Sequence, residues 1–344
     1  MTGLRVAIAG LGTTVQDLGR IGHQRSGVSV SGALDPVSLR GANLVVGNPD
    51  GTAALEALYQ GPTLEVSAES VRVAIAGAAA SLEVRRAGGR AQSIPAFRSV
   101  WLAQGDAVRV VLAGPAAAYL AVEGGFAIEP VLGSAATFLR ARLGGVEGRQ
   151  LVAGDVLPLR RAQAERRDER VLAMPDLRVP SRLRVVLGPQ DDYFTPAAIE
   201  TFLGGTYTVS RAADRMGLRL DGPELAHAKG FNIVSDGIAP GSIQVPGTRL
   251  PIVLLADRQT TGGYPKIATV ISADLPALGR VGPGTTLAFA AVSVETAQAA
   301  RRKLEDEVAA WRPRLAAAKP DSSDEQKLYE LNLVSGVIDP TELD

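Results

Sequence analysis

At 344 residues, 46% of them hydrophobic, the chain exceeds what one core usually organises, and two lobes of ordinary domain size are expected. Its 36 basic and 36 acidic residues cancel to a formal net charge of zero, so no excess of one sign is available to hold a nucleic-acid backbone or an anionic membrane. The absence of cysteine excludes disulfides, thiolate nucleophiles, iron-sulfur clusters and cysteine-based zinc sites, and His23 and His227 belong to no metal-binding motif; no metal site is expected.

The first ten residues form a short apolar run ending in glycine, too short for a signal peptide. No stretch approaches the ~18 consecutive apolar residues of a membrane span, and a cytoplasmic location is expected. A polar loop follows at residues 12–20. Asp35-Pro36 then supplies an N-cap acceptor and a first-turn proline, Leu39, Ala42, Asn43 and Val46 follow at helical spacing, and Gly47-Asn48 marks a stop. Aliphatic strand-like runs come next at 71–76, 108–112 and 119–122, with the turns Gln104-Gly105-Asp106 and Ala153-Gly154-Asp155 each delivering the chain into a strand.

The charged run RRAQAERRDER at 160–170 reads as a solvated linker. Beyond it, a strand is predicted at 183–187 and a second helix from Thr195-Pro196, carrying Ile199, Phe202 and Leu203 and ending at Gly204-Gly205. Further strands are predicted at 252–255 and 285–289, and an amphipathic helix at 296–315 through Ala297, Ala300, Leu304, Val308 and Trp311. The polar stretch 319–326 reads as mobile, and LNLVSGVI at 331–338 as apolar enough to dock. The fold class is mainly β with a few helices, since short strands separated by Gly, Pro, Asn and Asp clusters suit a sandwich or barrel.

The nucleotide-binding and hydrolase motifs GxxxxGK[ST], GxGxxG and GxSxG are absent. The richest polar segment is Asp257, Arg258, Gln259, Thr260, Thr261, Gly262, Gly263, Tyr264, Pro265 and Lys266, set between two apolar runs. Adjacent glycines let backbone amides approach a ligand, and Arg258 and Lys266 add positive charge suited to a carboxylate, a phosphate or a carboxyl group in transfer. The same residues also suit a hairpin in which the glycines meet positive φ and Asp257 pairs with Arg258 or a distant arginine. A second candidate loop holds Gln16, Asp17 and Arg20, which face a ligand or partner, or else form a turn organised by Asp17. Two further segments, 214–220 and 235–246, converge on the first if the second lobe is a small barrel. Asp214 and Arg215 read as a buried ion pair, and the two histidines as structural.

Taken together, GLGTTVQDLGR at 10–20, GVSVSGALDPVSLRGANLVVGN at 27–48, the stretch 123–155, SRAADRMGLRLDG at 210–222, SDGIAPGSIQVPG at 235–247 and DRQTTGGYPKIATVISADLPALGR at 257–280 resemble the KipA-like, or biotin-dependent carboxyltransferase, family. That family includes the C-type subunit of bacterial 5-oxoprolinase and allophanate hydrolase subunit 2. The resemblance implies two cyclophilin-like β-barrel lobes: an N-terminal carboxyltransferase-like lobe at 1–165 and a C-terminal cyclophilin-like lobe at 175–295, followed by a helix and tail at 296–344. It implies a hydrolase acting on a cyclic amide, the ATP-dependent opening of 5-oxoproline to L-glutamate, working with two partner subunits, one of A type and one KipI-like, of B type. ATP, with Mg, would be shared with those partners. On this reading Asp257, Arg258, Tyr264 and Lys266 are catalytic, and Gln16, Asp17, Arg20, Arg215, Gln259, Thr260, Thr261, Gly262 and Gly263 bind substrate. Two alternatives accompany it: carboxyl transfer from biotin to a urea- or amide-like acceptor, and a non-enzymatic regulator that binds a KipI-like kinase inhibitor.

Overall fold

The computed structural model describes residues 3–319, so the tail readings at 331–338 and, beyond Lys319, at 319–326 fall outside the described residues. The first lobe contains β1 (Gly3–Ile8), β2 (Thr14–Gln16), α1 (Pro36–Val46), β3 (Ala54–Ala57), β4 (Thr63–Val66) and β5 (Ser70–Ala76). It continues with β6 (Ala80–Arg85), β7 (Ala91–Pro95), β8 (Ser99–Ala103), β9 (Ala107–Leu112), β10 (Ala118–Val122) and β11 (Val156–Pro158). These strands form a six-stranded sheet in the order β11-β1-β4-β9-β6-β7 and a five-stranded sheet in the order β2-β3-β10-β5-β8. Every residue of β5 and β10 is buried, because α1 packs across them. That helix starts where the sequence places it: Asp35 accepts hydrogen bonds from the amides of Val37 and Ser38, both at 3.1 Å, and Gly47 ends it in the left-handed region at φ 85°.

After a short β12 (Arg170–Val171), the second lobe comprises β13 (Leu183–Leu187), α2 (Pro196–Gly204), β14 (Tyr207–Val209), β15 (Gly217–Asp221), β16 (Asp236–Gly237), β17 (Ser242–Gln244) and β18 (Ile252–Leu254). Then follow β19 (Thr261–Gly262), β20 (Lys266–Val270), α3 (Leu275–Leu278), β21 (Thr286–Leu287), β22 (Phe289–Ala291), α4 (Val294–Ala309) and β23 (Ala316–Ala317). Eight of these strands form one sheet in the order β21-β14-β15-β18-β17-β20-β13-β22. The single strand predicted at 285–289 is in fact two. Thr286–Leu287 pairs with β14 at one end of the sheet and Phe289–Ala291 pairs with β13 at the other, so consecutive residues bring the two edges together and give the sheet its barrel-like curvature. Inside it the rings of Phe202 and Phe289 stack with centroids 4.7 Å apart. Phe289→Ala is expected to cost about 3–5 kcal/mol, read as a lower urea midpoint.

Residues 160–170 are not a free solvated linker. They strap the first lobe, where the buried Arg72 donates to both carboxylate oxygens of Glu169 at 3.1 Å and to the carbonyls of Glu165 and Arg167 at 2.8 and 2.9 Å. Arg72 also pairs with Glu123 at 2.6 Å. A cation in the middle of a buried strand needs that saturation, and the strap provides most of it. The helix predicted at 296–315 ends at Ala309, and α4 with the turn after it likewise returns to the first lobe, placing Val308 and Trp311 in its core.

The lobes are joined by a buried charge network. Arg215, ahead of β15, donates through Nε to Asp257 Oδ2 at 3.0 Å, through Nη2 to the Gly32 carbonyl at 2.6 Å, and through Nη1 to Glu56 of β3. Ser31 Oγ lies 2.6 Å from Asp257 Oδ1 and 3.0 Å from the carbonyl oxygen of Thr137. Glu56 accepts from the Tyr119 hydroxyl at 2.6 Å, and that hydroxyl accepts from the Asp35 amide at 2.8 Å. Asp35 in turn receives Arg280 Nε at 2.7 Å. Burial works against the charge on Arg215, yet Glu56 and Asp257 more than offset it and hold the guanidinium above its ordinary value. Burial, reinforced by Glu56, raises the Tyr119 phenol well above its usual range, so both groups keep their roles at any ordinary pH. Arg215→Ala would strand two buried carboxylates and is expected to cost about 3–5 kcal/mol, measured by chemical denaturation.

Candidate functional site

The loop 257–266 leaves β18 and enters β20, with apolar strands on either side, as its sequence suggests. Its first residue belongs to the inter-lobe network: Asp257 is buried, with one carboxylate oxygen on Arg215 Nε and the other shared between Ser31 and Arg215 Nη2. Asp257 therefore pairs with a distant arginine rather than with Arg258. Arg215, for its part, does not pair with Asp214. The Asp214 carboxylate is largely exposed and accepts from the amides of Met216 and Gly217 at 2.8 and 3.1 Å, because a short acid beside a turn satisfies local amides more readily than it reaches a core.

Arg258 is 2% exposed. Its Nε donates to the Ile238 carbonyl at 3.2 Å and its Nη1 to the Leu255 carbonyl at 3.3 Å. Among the described residues no carboxylate forms an ion pair with it, and burial alone pulls it down to about 10. The next side chain, Gln259, donates to Gln244 Oε1 at 3.1 Å while its own buried Oε1 has no partner. Gln244 also directs its amide toward the Tyr264 carbonyl at 3.4 Å. An uncompensated guanidinium beside an unpaired amide oxygen is a costly interior, and an anionic ligand with a hydrogen-bond donor would relieve both groups.

The glycine pair is not explained by positive φ, since neither Gly262 nor Gly263 has it. A Cβ on Gly262 would instead lie 2.7 Å from both Gln244 Nε2 and Ile238 Cδ1, so a larger residue there would have to push these two side-chain ends aside. Around Gly263 a Cβ would meet only ordinary contacts, the nearest at 3.4 Å. Thr261 and Tyr264 are exposed and Thr260 is half-buried. At the far end Lys266, almost wholly buried, directs Nζ to Asp236 Oδ2 at 2.7 Å and to the Gly237 carbonyl at 3.1 Å. Lys266, followed by the Gly237 backbone amide and then the Gln190 side-chain amide, holds the Asp236 carboxyl below the usual carboxylate range.

The second loop lies on the first-lobe side of the same network. Gln16 donates to Thr14 Oγ1 at 3.0 Å and to the Thr137 carbonyl at 3.1 Å, and its buried Oε1 has no partner. Asp17 organises the loop, accepting from the Gly19 amide, Ser134 Oγ and the Ala135 amide, each at 2.7 Å. Arg20 is fully buried and donates to the Ala136 carbonyl, with Nη1 unpartnered. Burial lowers its affinity for the proton, opposed by the charges of Asp17 and Asp257. Thus Gln16, Arg20, Arg215 and Asp257 meet around Ser31 and Thr137, whereas Arg258, Gln259 and Lys266 face the barrel side with Asp236, Gln190 and Gln244. Sequence reasoning did not single out Ser31, Glu56, Thr137 or Gln190 as site residues. A lone acid in the apolar run ALEAL was the available signal for Glu56, and Gln190 offered none.

Neither large cavity, of about 770 and 700 Å³, is lined by these residues; one opens beside Trp101 and Glu169, the other beside Lys303 and Trp311. Only the outer turn of the loop, at Thr261 and Tyr264, is exposed. Ile233 donates to the Gly263 carbonyl at 2.9 Å, and Gln24 reaches the Ile238 carbonyl at 3.2 Å. Exposed Ile21, Phe231, Val234 and Tyr264 lie within three residues of these bonds along the chain, apolar surface suited to a covering partner.

A family model described as "Carboxyltransferase domain, subdomain A and B" matches residues 26–291. The chain is 36% identical over 319 residues to the C-type subunit of 5-oxoprolinase from Escherichia coli strain K12, covering 90% of this chain and 98% of that protein. Among solved structures, that of TTHA0988 superposes with a TM-score of 0.74 at 36% identity over 84% of this chain, which spans only 55% of that longer chain. The urea amidolyase of K. lactis superposes with a TM-score of 0.81 at 28% identity, covering 90% of this chain and 20% of that one. Among the described residues no helix is long and apolar enough to cross a membrane. With the fold, the motifs and the match over most of its length in agreement, this chain belongs to the carboxyltransferase-domain family that includes the C-type subunit of 5-oxoprolinase.

Proposed function

We propose that this chain is the C-type subunit of an ATP-dependent 5-oxoprolinase, opening 5-oxoproline to L-glutamate together with two partner subunits, one of A type and one KipI-like, of B type. The observation that carries the reading is the buried Arg258, without a carboxylate partner among the described residues, on the same short loop as Lys266; two cations suit a substrate that bears a carboxylate. A lactam carbonyl is a poor electrophile, and ATP, held with Mg jointly with the partner subunits, supplies phosphoryl activation of its oxygen. Water would add to the activated carbon, the ring C–N bond would break with the nitrogen taking up a proton from that water, and a second water would release the phosphoryl group as inorganic phosphate, with ADP as the other product of ATP cleavage.

In this reading Arg258 and Lys266 orient the substrate carboxylate or the phosphoryl group in transfer. Tyr264, exposed on the outer turn of the loop, is placed to move a proton once a partner covers it. Asp257 acts by holding the loop to Arg215, since both oxygens of its carboxylate are already engaged by Arg215 and Ser31. Gln16, Asp17 and Arg20 shape the adjoining wall, and the apolar rim of Ile21, Phe231 and Val234 is covered by the KipI-like partner.

The second reading, carboxyl transfer from biotin to a urea- or amide-like acceptor, is supported by the carboxyltransferase-domain match and the likeness to a urea amidolyase. There the same cations would polarise the carboxyl group on biotin.

In the complex reconstituted with both partner types, Lys266→Met and Arg258→Met are each expected to lower 5-oxoproline-dependent ATP hydrolysis by about 100-fold or more, with assembly intact by size-exclusion chromatography. Wild-type rates in both variants would overturn the proposal. Biotin-dependent carboxylation of urea without glutamate release would favour the second reading.

A further inference from the structure

Lys266 is neutralised in an unusual way. Its side chain is 2% exposed, but the only carboxylate that pairs with it among the described residues, that of Asp236, is 52% exposed. A buried ammonium normally draws its counter-charge into the interior with it; here the counter-charge stands at the surface, on the two-residue strand β16. Both residues of β16 are exposed, and its ladder partner is the equally short β19 of the candidate loop. A Cβ on Gly237 would meet nothing within 4 Å, so the ribbon has open space beside it.

The interior side of the contact is firmly built. Gln190 accepts the Lys266 amide on Oε1 at 3.1 Å and donates Nε2 to Asp236 Oδ2 at 3.2 Å. Lys266 Nζ reaches the same oxygen at 2.7 Å. Two donors, Lys266 of β20 and Gln190 of the loop after β13, thus converge on one carboxylate oxygen, while among the described residues the other oxygen accepts the Gly237 amide, at 2.7 Å. An ammonium has three N–H donors; Asp236 and the Gly237 carbonyl take two of those from Lys266.

We propose that Lys266 Nζ and Gln190 Nε2 form an oxyanion cradle that Asp236 fills in the resting chain and that a ligand carboxylate or phosphoryl oxygen takes over by displacing Asp236. Exchanging one anion for another keeps the buried ammonium neutralised throughout and avoids the desolvation cost of an empty cationic pocket. Asp236 then acts as a selectivity element. A neutral amide such as urea cannot replace a carboxylate on Lys266, whereas a carboxylate-bearing lactam can. This inference rests on the reading of residues 257–266 as the ligand site, and it narrows that site's substrate class to anions.

The test uses the isolated chain with inorganic phosphate as the probe, followed by calorimetry and by NMR of lysine labelled at the ε-carbon. Asp236→Asn, which keeps the side-chain shape and removes the competing charge, is expected to bind phosphate about tenfold more tightly than the wild type and to shift the Lys266 signal on titration. The double variant Asp236→Asn, Lys266→Met should lose the gain. Binding no tighter than wild type, or a gain that survives loss of Lys266, would overturn the cradle. If Asp236→Asn folds poorly, the wild-type Lys266 signal serves instead: a phosphate-dependent shift supports displacement and an unmoved signal at saturation refutes it. Tightened phosphate binding alongside normal turnover by the Lys266→Met complex would uphold the cradle while removing it from 5-oxoproline opening, which separates this inference from the reading beneath it.

Discussion

The architecture depends on one guanidinium. Arg215 sits where the lobes meet and is shared by Glu56 from the first lobe and Asp257 from the second. Removing the charge of a buried arginine from water is expensive, and the cost is offset only when its donors all find oxygens in fixed positions. Arg215 achieves this with two carboxylates and the Gly32 carbonyl, so the lobes are held in one arrangement by directional bonds as well as apolar contact. The Tyr119 hydroxyl extends the constraint, linking Glu56 to the amide of Asp35 and so to the start of α1.

Because Asp257 is part of this lock, the candidate loop begins from a fixed point. The stretch just beyond it is less constrained, since Arg258 has only backbone carbonyls, Gln259 has an idle oxygen and Tyr264 is exposed, before Lys266 closes the loop on Asp236. Unsaturated polar groups held between two anchored ends are what a ligand site built on a rigid base looks like. A partner chain laid over the apolar rim would exclude water from it and strengthen each charge interaction inside. This agrees with a protein that resembles one component of an assembly and one portion of a much longer urea amidolyase.

Much of this was legible from the sequence for local reasons. The N-caps at Asp35 and Thr195 work through amides two or three residues away, so composition alone reveals them. The aliphatic runs became strands because β-branched residues flanked by turn formers have few alternatives. The charged run 160–170 misled for the opposite reason: nothing local announces that Glu169 will meet Arg72, 97 residues earlier in the chain.

The mainly β class, the helix starts, the family motifs and the position of the polar loop between two strands all follow from periodicity and nearest-neighbour chemistry along the chain. Which charges meet is set by the packing of the fold. Arg215 joins Asp257 across 42 residues and Glu56 across 159, Ser31 reaches Asp257 across 226, and Lys266 finds Asp236 across 30. Such pairings depend on how two separately formed lobes and their loops pack, a non-local property that the pattern along a strand does not encode. The polar loop read from sequence as a single unit is thereby divided: Asp257 is committed to holding the lobes together, Lys266 to Asp236, and Arg258 meets only backbone carbonyls.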